Sequence, residues 1–321
     1  MQAITRIILC LLLSVTGAVA QSYPSRTVKI IVPTGPGSAT DIMARLLADG
    51  MSQTLGQTVV VENMSGASGI LAHQSVARAE PDGYTLLITN TSGMAINLVS
   101  FKQLPYDPRS DFVAVGMVCS LGPQMLSVNS ELPAKSVSEL IAYAKQSPGK
   151  LSIAFDTTAG AGVFAAKMFN RRADLDLAEV PYRSAAQMAQ DTASGINQIL
   201  MSSIAAAKPV IDSSKVRMLA VTSEQRFPGL PELPTISETL PGVIVNGWFA
   251  IVAPARTPVD ITRLLNQSMA AFLASPDIQR RLLLFGLATE GAGTPQSTAD
   301  FITQQQVKWI SMAKELNLQP E

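Results

Sequence analysis

The chain has 321 residues, with 24 basic and 24 acidic side chains, one His and two Cys. This balance excludes a basic field for nucleic acid and a polybasic surface for anionic membranes. A chain of about 300 residues beyond its leader exceeds one comfortable core and points to two lobes.

The leader comes first. MQAITR carries one basic side chain, IILCLLLSV is uninterrupted and apolar, and Ala18-Val19-Ala20 is a small-x-small cleavage site. That layout predicts a signal peptide over 1–20 and a mature start at Gln21. Cys10 lies inside the apolar run after Ile8-Leu9, the wrong context for a lipidated anchor. No later stretch reaches transmembrane length. An exported, soluble protein is expected, periplasmic in a bacterium. Cys119, in VAVGMVCSLG, has no partner for an internal disulfide once the leader is gone and reads as a small buried hydrophobe.

Thr27 to Pro33 (TVKIIVP) reads as a buried strand closed by proline. Thr40 to Leu55 follows with Ile42, Met43, Leu46, Leu47, Met51 and Leu55 at helical spacing, and Gly56 supplies a stop. QTVVVE is a second strand, NMSGASG a loop opening a helix through Ala79, and EPDGY a turn into strand YTLLIT. Strands alternating with helices predict parallel sheets flanked by helices. FVAVGMVCSLGPQMLSV reads as two strand segments meeting at Gly122-Pro123. Then come helix SVSELIAYAKQSPGK, strand LSIAF, helix VFAAKMFNRRA, strand AEVPY, helix SAAQMAQDTASG, and strands NQILMSS and VRMLAVTS. Arg226 to Val243 is Pro-rich and reads as an extended connection. Strand GWFAIVAP and the helices VDITRLLNQSMAAFLAS, PDIQRRLLLFG and STADFITQQQVKWISMAKEL close the chain.

The loop between the first strand and helix, Pro33 to Asp41, is dense in glycine and small polar groups. It lacks the lysine of a Walker loop and carries Thr40 where a dinucleotide fingerprint needs its third glycine. Two readings remain: a capped helix start, with Ser38-x-x-Asp41 at capping-box spacing, or an anion cradle of free amides under a helix dipole. No Gly-x-Ser-x-Gly elbow exists; His73 reads as a satisfied imidazole on a helix rather than a base. One His and one Cys cannot build a zinc site, and no acidic cluster has calcium-loop spacing. Pairs such as Asp174/Asp176 and Glu232/Glu238 lie in connections with no evident partner. No cofactor, metal or catalytic set is expected. Binding without reaction fits such a two-lobed α/β chain, with a ligand outside the carboxyl ends of the strands.

The motifs then carry a resemblance. YPSRTVKIIVPTGPGSATDIMARLLADGMSQTLGQTVVVENMSGASG, ARAEPDGYTLLI, VPYRSAAQM, VRMLAVTSEQRFPGLPELPTISETLPG and WFAIVAPARTPVDITRLLN, in this order, resemble the Bug-type (TctC-like) substrate-binding proteins of tripartite tricarboxylate transporters. The resemblance runs from about Tyr23 to the C-terminus and implies a Venus-flytrap fold. Two α/β lobes, each a mainly parallel sheet flanked by helices, are joined by two crossover strands. Lobe 1 is expected over 21–122 plus 248–321 and lobe 2 over 123–247. The implied function is capture of a small organic acid or carboxylated aromatic for a membrane permease, by a monomer. An extracytoplasmic sensing component is the alternative; an exported hydrolase lacks a nucleophile–base set.

Transferred by position, the resemblance implies a first binding loop at Thr34, Gly35, Gly37, Ser38, Ala39, Thr40 and Asp41, with Thr34 where the family carries an aromatic. Thr91 and Ser92 follow the third strand. The second lobe's loop matches Asp156, Thr157, Thr158, Ala159 and Gly160, preceded by Phe155, and departs from the family's Ser-Ala-Gly-x-Gly. An acid at Asp156 would repel a carboxylate unless it turns away or meets an ammonium or amide. Tyr182 matches a position near the cleft, Arg183 beside it could pair a carboxylate or serve the surface, and Ser202 and Ser203 are weaker candidates.

Overall fold

The computed structural model describes residues 23–156, 160–182 and 184–320. The expected leader, Thr157, Thr158, Ala159, Arg183 and the side chain of Asp156 lie outside the described residues.

Strand β1 (Val28–Val32) buries every residue but Lys29, the pattern of a parallel strand covered on both faces. It pairs in parallel with β2 (Val59–Asn63) and β3 (Thr85–Asn90). Helix α1 (Ala39–Leu55) starts on the Ser38 side chain, which accepts from Asp41 N, and ends at Gly56 in the left-handed region (φ +66°). Its buried stripe of Met43, Leu47 and Met51 lies in the core of this sheet. A Cβ at Gly50 would sit 2.0 Å from Phe272, so this glycine lets α1 approach helix α8 (Val259–Leu273). Helix α2 (Ile70–Ala77) links β2 to β3. After β3 the chain makes a wide π-type turn, Ser92–Ile96, running into the short helix α3 (Asn97–Ser100).

Strand β4 (Phe112–Asn129) is continuous through Gly122-Pro123, where two segments were expected. Its partners change there. Phe112 to Pro123 pair antiparallel with β9 (Asn246–Pro254), while Gln124 to Val128 pair antiparallel with β7 (Ile199–Ser203), and Met125 to Asn129 with β8 (Val216–Val221). Pro123, which donates no ladder bond, is tolerated at this change of partner. Gly122 and Gly247 are in register, and a Cβ on either would lie 3.2–3.3 Å from the other's carbonyl oxygen. The second set holds β5 (Ser152–Asp156), parallel to both β6 (Ala178–Tyr182) and β7. Around it lie α4 (Val137–Lys145), α5 (Ala161–Arg172), α6 (Ala185–Ala193) and α7 (Ile204–Asp212). The order through the described strands is β2-β1-β3-β9-β4-β7-β5-β6, with β8 on β4. Each end is a parallel trio, and antiparallel strands join the trios.

The chain closes with α8, α9 (Pro276–Leu284) and α10 (Pro295–Glu315). Helix α10 serves both sheets. Phe301 packs edge-on against Trp248 of β9, whereas Trp309 packs edge-on against Phe164 of α5 at 4.8 Å. Such a pair is worth about 1 kcal/mol beyond its buried area. Met312 and Ala313 share that second core with Ala95 and Ile96 of the π-type turn, and Glu315 pairs with Arg172 of α5. Cys119 is fully buried and its thiol is pushed up to about 12 by burial, the state of an inert hydrophobe.

Candidate functional site

Strand direction locates the site. The first trio ends at Val32, Asn63 and Asn90, and Asn90 is level with Phe249 and, across β9, with Cys119. The second trio ends at Asp156, Tyr182 and Ser203, and Ser203 is level with Gln124. Since β7 runs antiparallel to β4, the two carboxyl edges face each other across Cys119–Gln124. That segment is about 16 Å of extended chain at ~3.3 Å per residue. Ligands of open parallel sheets bind at such edges.

On the first rim the β1–α1 loop is tightly braced. The Asp41 carboxylate, only 2 % exposed, accepts from Gly37 N (2.9 Å), Asn63 Nδ2 (2.9 Å) and Arg45 Nε (3.1 Å). Burial alone would raise its pKa; the Arg45, Gly37 and Asn63 hydrogen bonds outweigh that and hold it below the usual range. Asn63 also donates to Thr34 O (3.0 Å), and the Thr34 and Ser38 hydroxyls share a 2.6 Å hydrogen bond. The loop is thus a capped helix start whose own acid fills part of the amide cradle. The amides of Ala39 and Thr40 form no hydrogen bond among the described residues. Gly37 needs its positive φ of +78°; Gly35 does not, and a Cβ on Gly35 or Gly37 would meet nothing within 4 Å.

The neighbouring loops are braced as well. Thr91 is buried, its Oγ1 accepting from Trp248 N at 2.9 Å, so this hydroxyl belongs to the scaffold. Ser92 is half-buried and its hydroxyl forms no hydrogen bond among the described residues. Gly93 N donates to Asn90 Oδ1 (3.0 Å), and Gly93 O accepts from Tyr106 OH (2.7 Å). Gln306 of α10 donates to Met94 O (2.9 Å). The sequence reading missed this bracing, because Asn63, Tyr106, Trp248 and Gln306 are spread along the chain and belong to no short motif.

On the second rim Gly160 is the extended, buried N-cap of α5 and offers no side-chain cap. Tyr182 OH donates to Asp191 Oδ2 (2.7 Å) and accepts from Asn197 Nδ2 (2.6 Å), so only its ring is left to line a cleft. Ser202 is buried and donates to Ser203 O (3.2 Å); Ser203 caps α7 through Ala206 N (3.3 Å). Among the described residues no cluster of His, Cys, Asp and Glu could hold a metal, and no helix is long and apolar enough to cross a membrane. A cavity of about 280 Å³ lies elsewhere, under α10 at the level of Ala114 and Val252, with mainly apolar walls including Met94, Phe112 and Ile302.

Comparison with known proteins agrees with the two-lobed α/β fold. Residues 43–318 match the model of the tripartite tricarboxylate transporter family receptor (TctC). The chain is 32 % identical over 298 residues to Protein BugT of Bordetella pertussis, covering 92 % of this chain and 91 % of that one. It superposes on R. palustris Rpa4515 with adipate at a TM-score of 0.87, with 35 % identity over 93 % of this chain and 100 % of that one. It superposes on MatC (Rpa3494) from Rhodopseudomonas palustris with bound malate at a TM-score of 0.80, with 29 % identity over 90 % and 99 %.

Proposed function

This chain belongs to the tripartite tricarboxylate transporter receptor family, and we propose that it captures a small carboxylate-bearing ligand between its two facing carboxyl edges. Its relatives are substrate-binding proteins of transporters, and it is a solute-binding protein rather than an enzyme. Members of this family act outside the cytoplasm. In this chain the leader over 1–20 is removed after Ala20, and the loaded protein is read by a membrane permease. Uptake is favoured over sensing because the matching family is one of transporter receptors.

One observation carries the reading. Helix α1 opens on the first edge with the Ala39 and Thr40 amides uncommitted among the described residues, and Gly35 and the Ser92 hydroxyl, likewise unpartnered among them, lie in loops of the same edge. Those groups, with the helix dipole, favour one carboxylate. The second trio supplies the opposing groups, from Asp156, Thr157, Thr158, Ala159, Gly160, Tyr182 and Arg183. The division into 21–122 plus 248–321 against 123–247 is supported by the change of partner along β4. The shared core around Trp309 and Phe164 refines it: the end of α10 rests on the second lobe.

The test is thermal denaturation of the mature chain with adipate, malate, citrate, benzoate and amino acids. A ligand that binds only the folded state raises stability by about 2.7 kcal/mol at a hundredfold excess over Kd. A rise in Tm with at least one carboxylate is expected. No shift with any of them would refute the reading.

A further inference from the structure

His73 is completely buried on α2, behind the rim of the first edge. Its Nδ1 lies 2.8 Å from Gly69 O and its Nε2 2.8 Å from Thr89 Oγ1. A carbonyl only accepts, so Nδ1 carries the proton and Nε2 accepts from the Thr89 hydroxyl. The ring stacks on Tyr106 at 5.1 Å, and Phe112 meets it edge-on at 6.1 Å. Burial moves its pKa down to about 4, so this neutral tautomer holds at neutral pH.

What these contacts hold is the rim itself. Gly69 ends a left-handed turn in which Gly66, Ala67, Ser68 and Gly69 all have positive φ (135°, 47°, 54° and 82°). Two of the four carry side chains, a conformation that persists only under outside restraint. The restraint is visible: His73 grips Gly69 O, and Asn97 Nδ2 reaches Ser68 O at 3.4 Å. Thr89 lies one residue before the end of β3, and Gly93 lies directly over the imidazole. A Cβ at Gly93 would stand 1.9 Å from His73 Nε2. Tyr106, stacked on the same ring, holds Gly93 O and accepts from Asn97 Nδ2 (3.1 Å).

We infer that His73 is a positioning residue of the binding cleft: it joins the left-handed turn 66–69 to the end of β3 and seats the turn that carries Ser92. It touches no ligand and acts through the backbone of the two loops. This inference rests on the solute-binding reading, but its first test needs no ligand.

His73→Asn keeps a donor near Gly69 O and loses Thr89; His73→Gln reaches Thr89 and loses Gly69. Hydrogen exchange of the apo protein is measured over peptides spanning 64–69 and 90–97. Each variant is expected to exchange about tenfold faster in the loop it releases and to keep protection in the other, since local opening reports the lost restraint. Leu126→Ala, in the second sheet, serves as a control for general destabilisation. Gly93→Ala is expected to lower Tm strongly in the native background and weakly beside His73→Ala, which removes the colliding ring. Affinity for adipate or malate, whichever shifts the parent, falls about tenfold in His73→Asn, which releases the turn carrying Ser92, by about the 1.4 kcal/mol that a tenfold change represents. Exchange that rises in both variants only as it does in Leu126→Ala would reduce His73 to a core filler and overturn the inference. So would unchanged affinity with both loops loosened. If no member of the carboxylate and amino-acid panel binds the parent, the solute-binding reading fails while the exchange result still decides the positioning role.

Discussion

The two rims of the cleft are braced in different ways. On the first, hydrogen bonds run between segments: Asn63 to Thr34 and Asp41, Thr89 to His73, Asn97 to Ser68, Tyr106 to Gly93, Trp248 to Thr91, and Gln306 to Met94. On the second, among the described residues, Ser184 and Ser203 cap the helices that follow them, and Tyr182 ties to Asp191 and Asn197 just downstream. The first rim is one cross-linked unit, whereas these described parts of the second are secured to the chain after them. A preformed first half lowers the ordering cost of binding.

The largest expected effect is at Asp41. Asp41→Ala leaves Gly37 N without its acceptor, Asn63 Nδ2 with only Thr34 O, and half-exposed Arg45 without its ion-pair partner, a loss of about 3 kcal/mol. Denaturant unfolding checks it; a cost below that of Tyr182→Phe on the second rim would erase the contrast between the rims.

Acid comes next. His73, the only His of the chain, has a folded pKa of about 4 against 6.5 unfolded. The unfolded chain therefore binds the proton first. Stability is intact above pH 6.5 and is lost as pH falls toward 4, by on the order of 3 kcal/mol. His73→Gln is expected to show a flatter profile in that window, while its stability at pH 7 is lower. Identical profiles would mean that the ring is charged in the fold.

The Ser38 cap ranks third. Ser38→Ala removes the acceptor for Asp41 N and the partner of Thr34, and is expected to cost about 1 kcal/mol. The last expected effect is on binding rather than stability, at Asp156, which ends β5. Asp156→Asn removes a negative charge from the second rim and is expected to weaken amino-acid ligands while sparing or improving plain dicarboxylates. The opposite order in a titration would take Asp156 out of the site.

Legibility in the sequence followed locality. The β1 strand, the Ser38 cap and the Gly56 stop are local devices, and they stand where the pattern places them. The π-type turn and α3 went unread because SGMAINLVS has a glycine and no helical stripe. Helix α7 went unread because Pro209 interrupts it, although the proline only removes one ladder bond in an otherwise short apolar helix. Gly122-Pro123 looked like a break and is a continuous strand changing partners, which no local signal encodes. Glu238 seemed partnerless and is held by Arg226 at 2.7 Å. The cross-links of the first rim were invisible for the same reason: a single His on a helix becomes informative only when Gly69, Thr89 and Gly93 surround it.

Gly35 offers the most direct test of the cleft. Its φ is ordinary and a Cβ there meets nothing within 4 Å, so a larger side chain is accommodated by the fold, and on the proposed reading it occupies space the ligand needs. Calorimetric titration of the mature protein and of Gly35→Leu, with the carboxylate that raises the parent's Tm, separates binding from folding. The account predicts an apo Tm within about 2 °C of the parent, as for a surface substitution of under 0.5 kcal/mol, and an affinity loss of about a hundredfold, or 2.7 kcal/mol. Full affinity in a normally folded Gly35→Leu would contradict it.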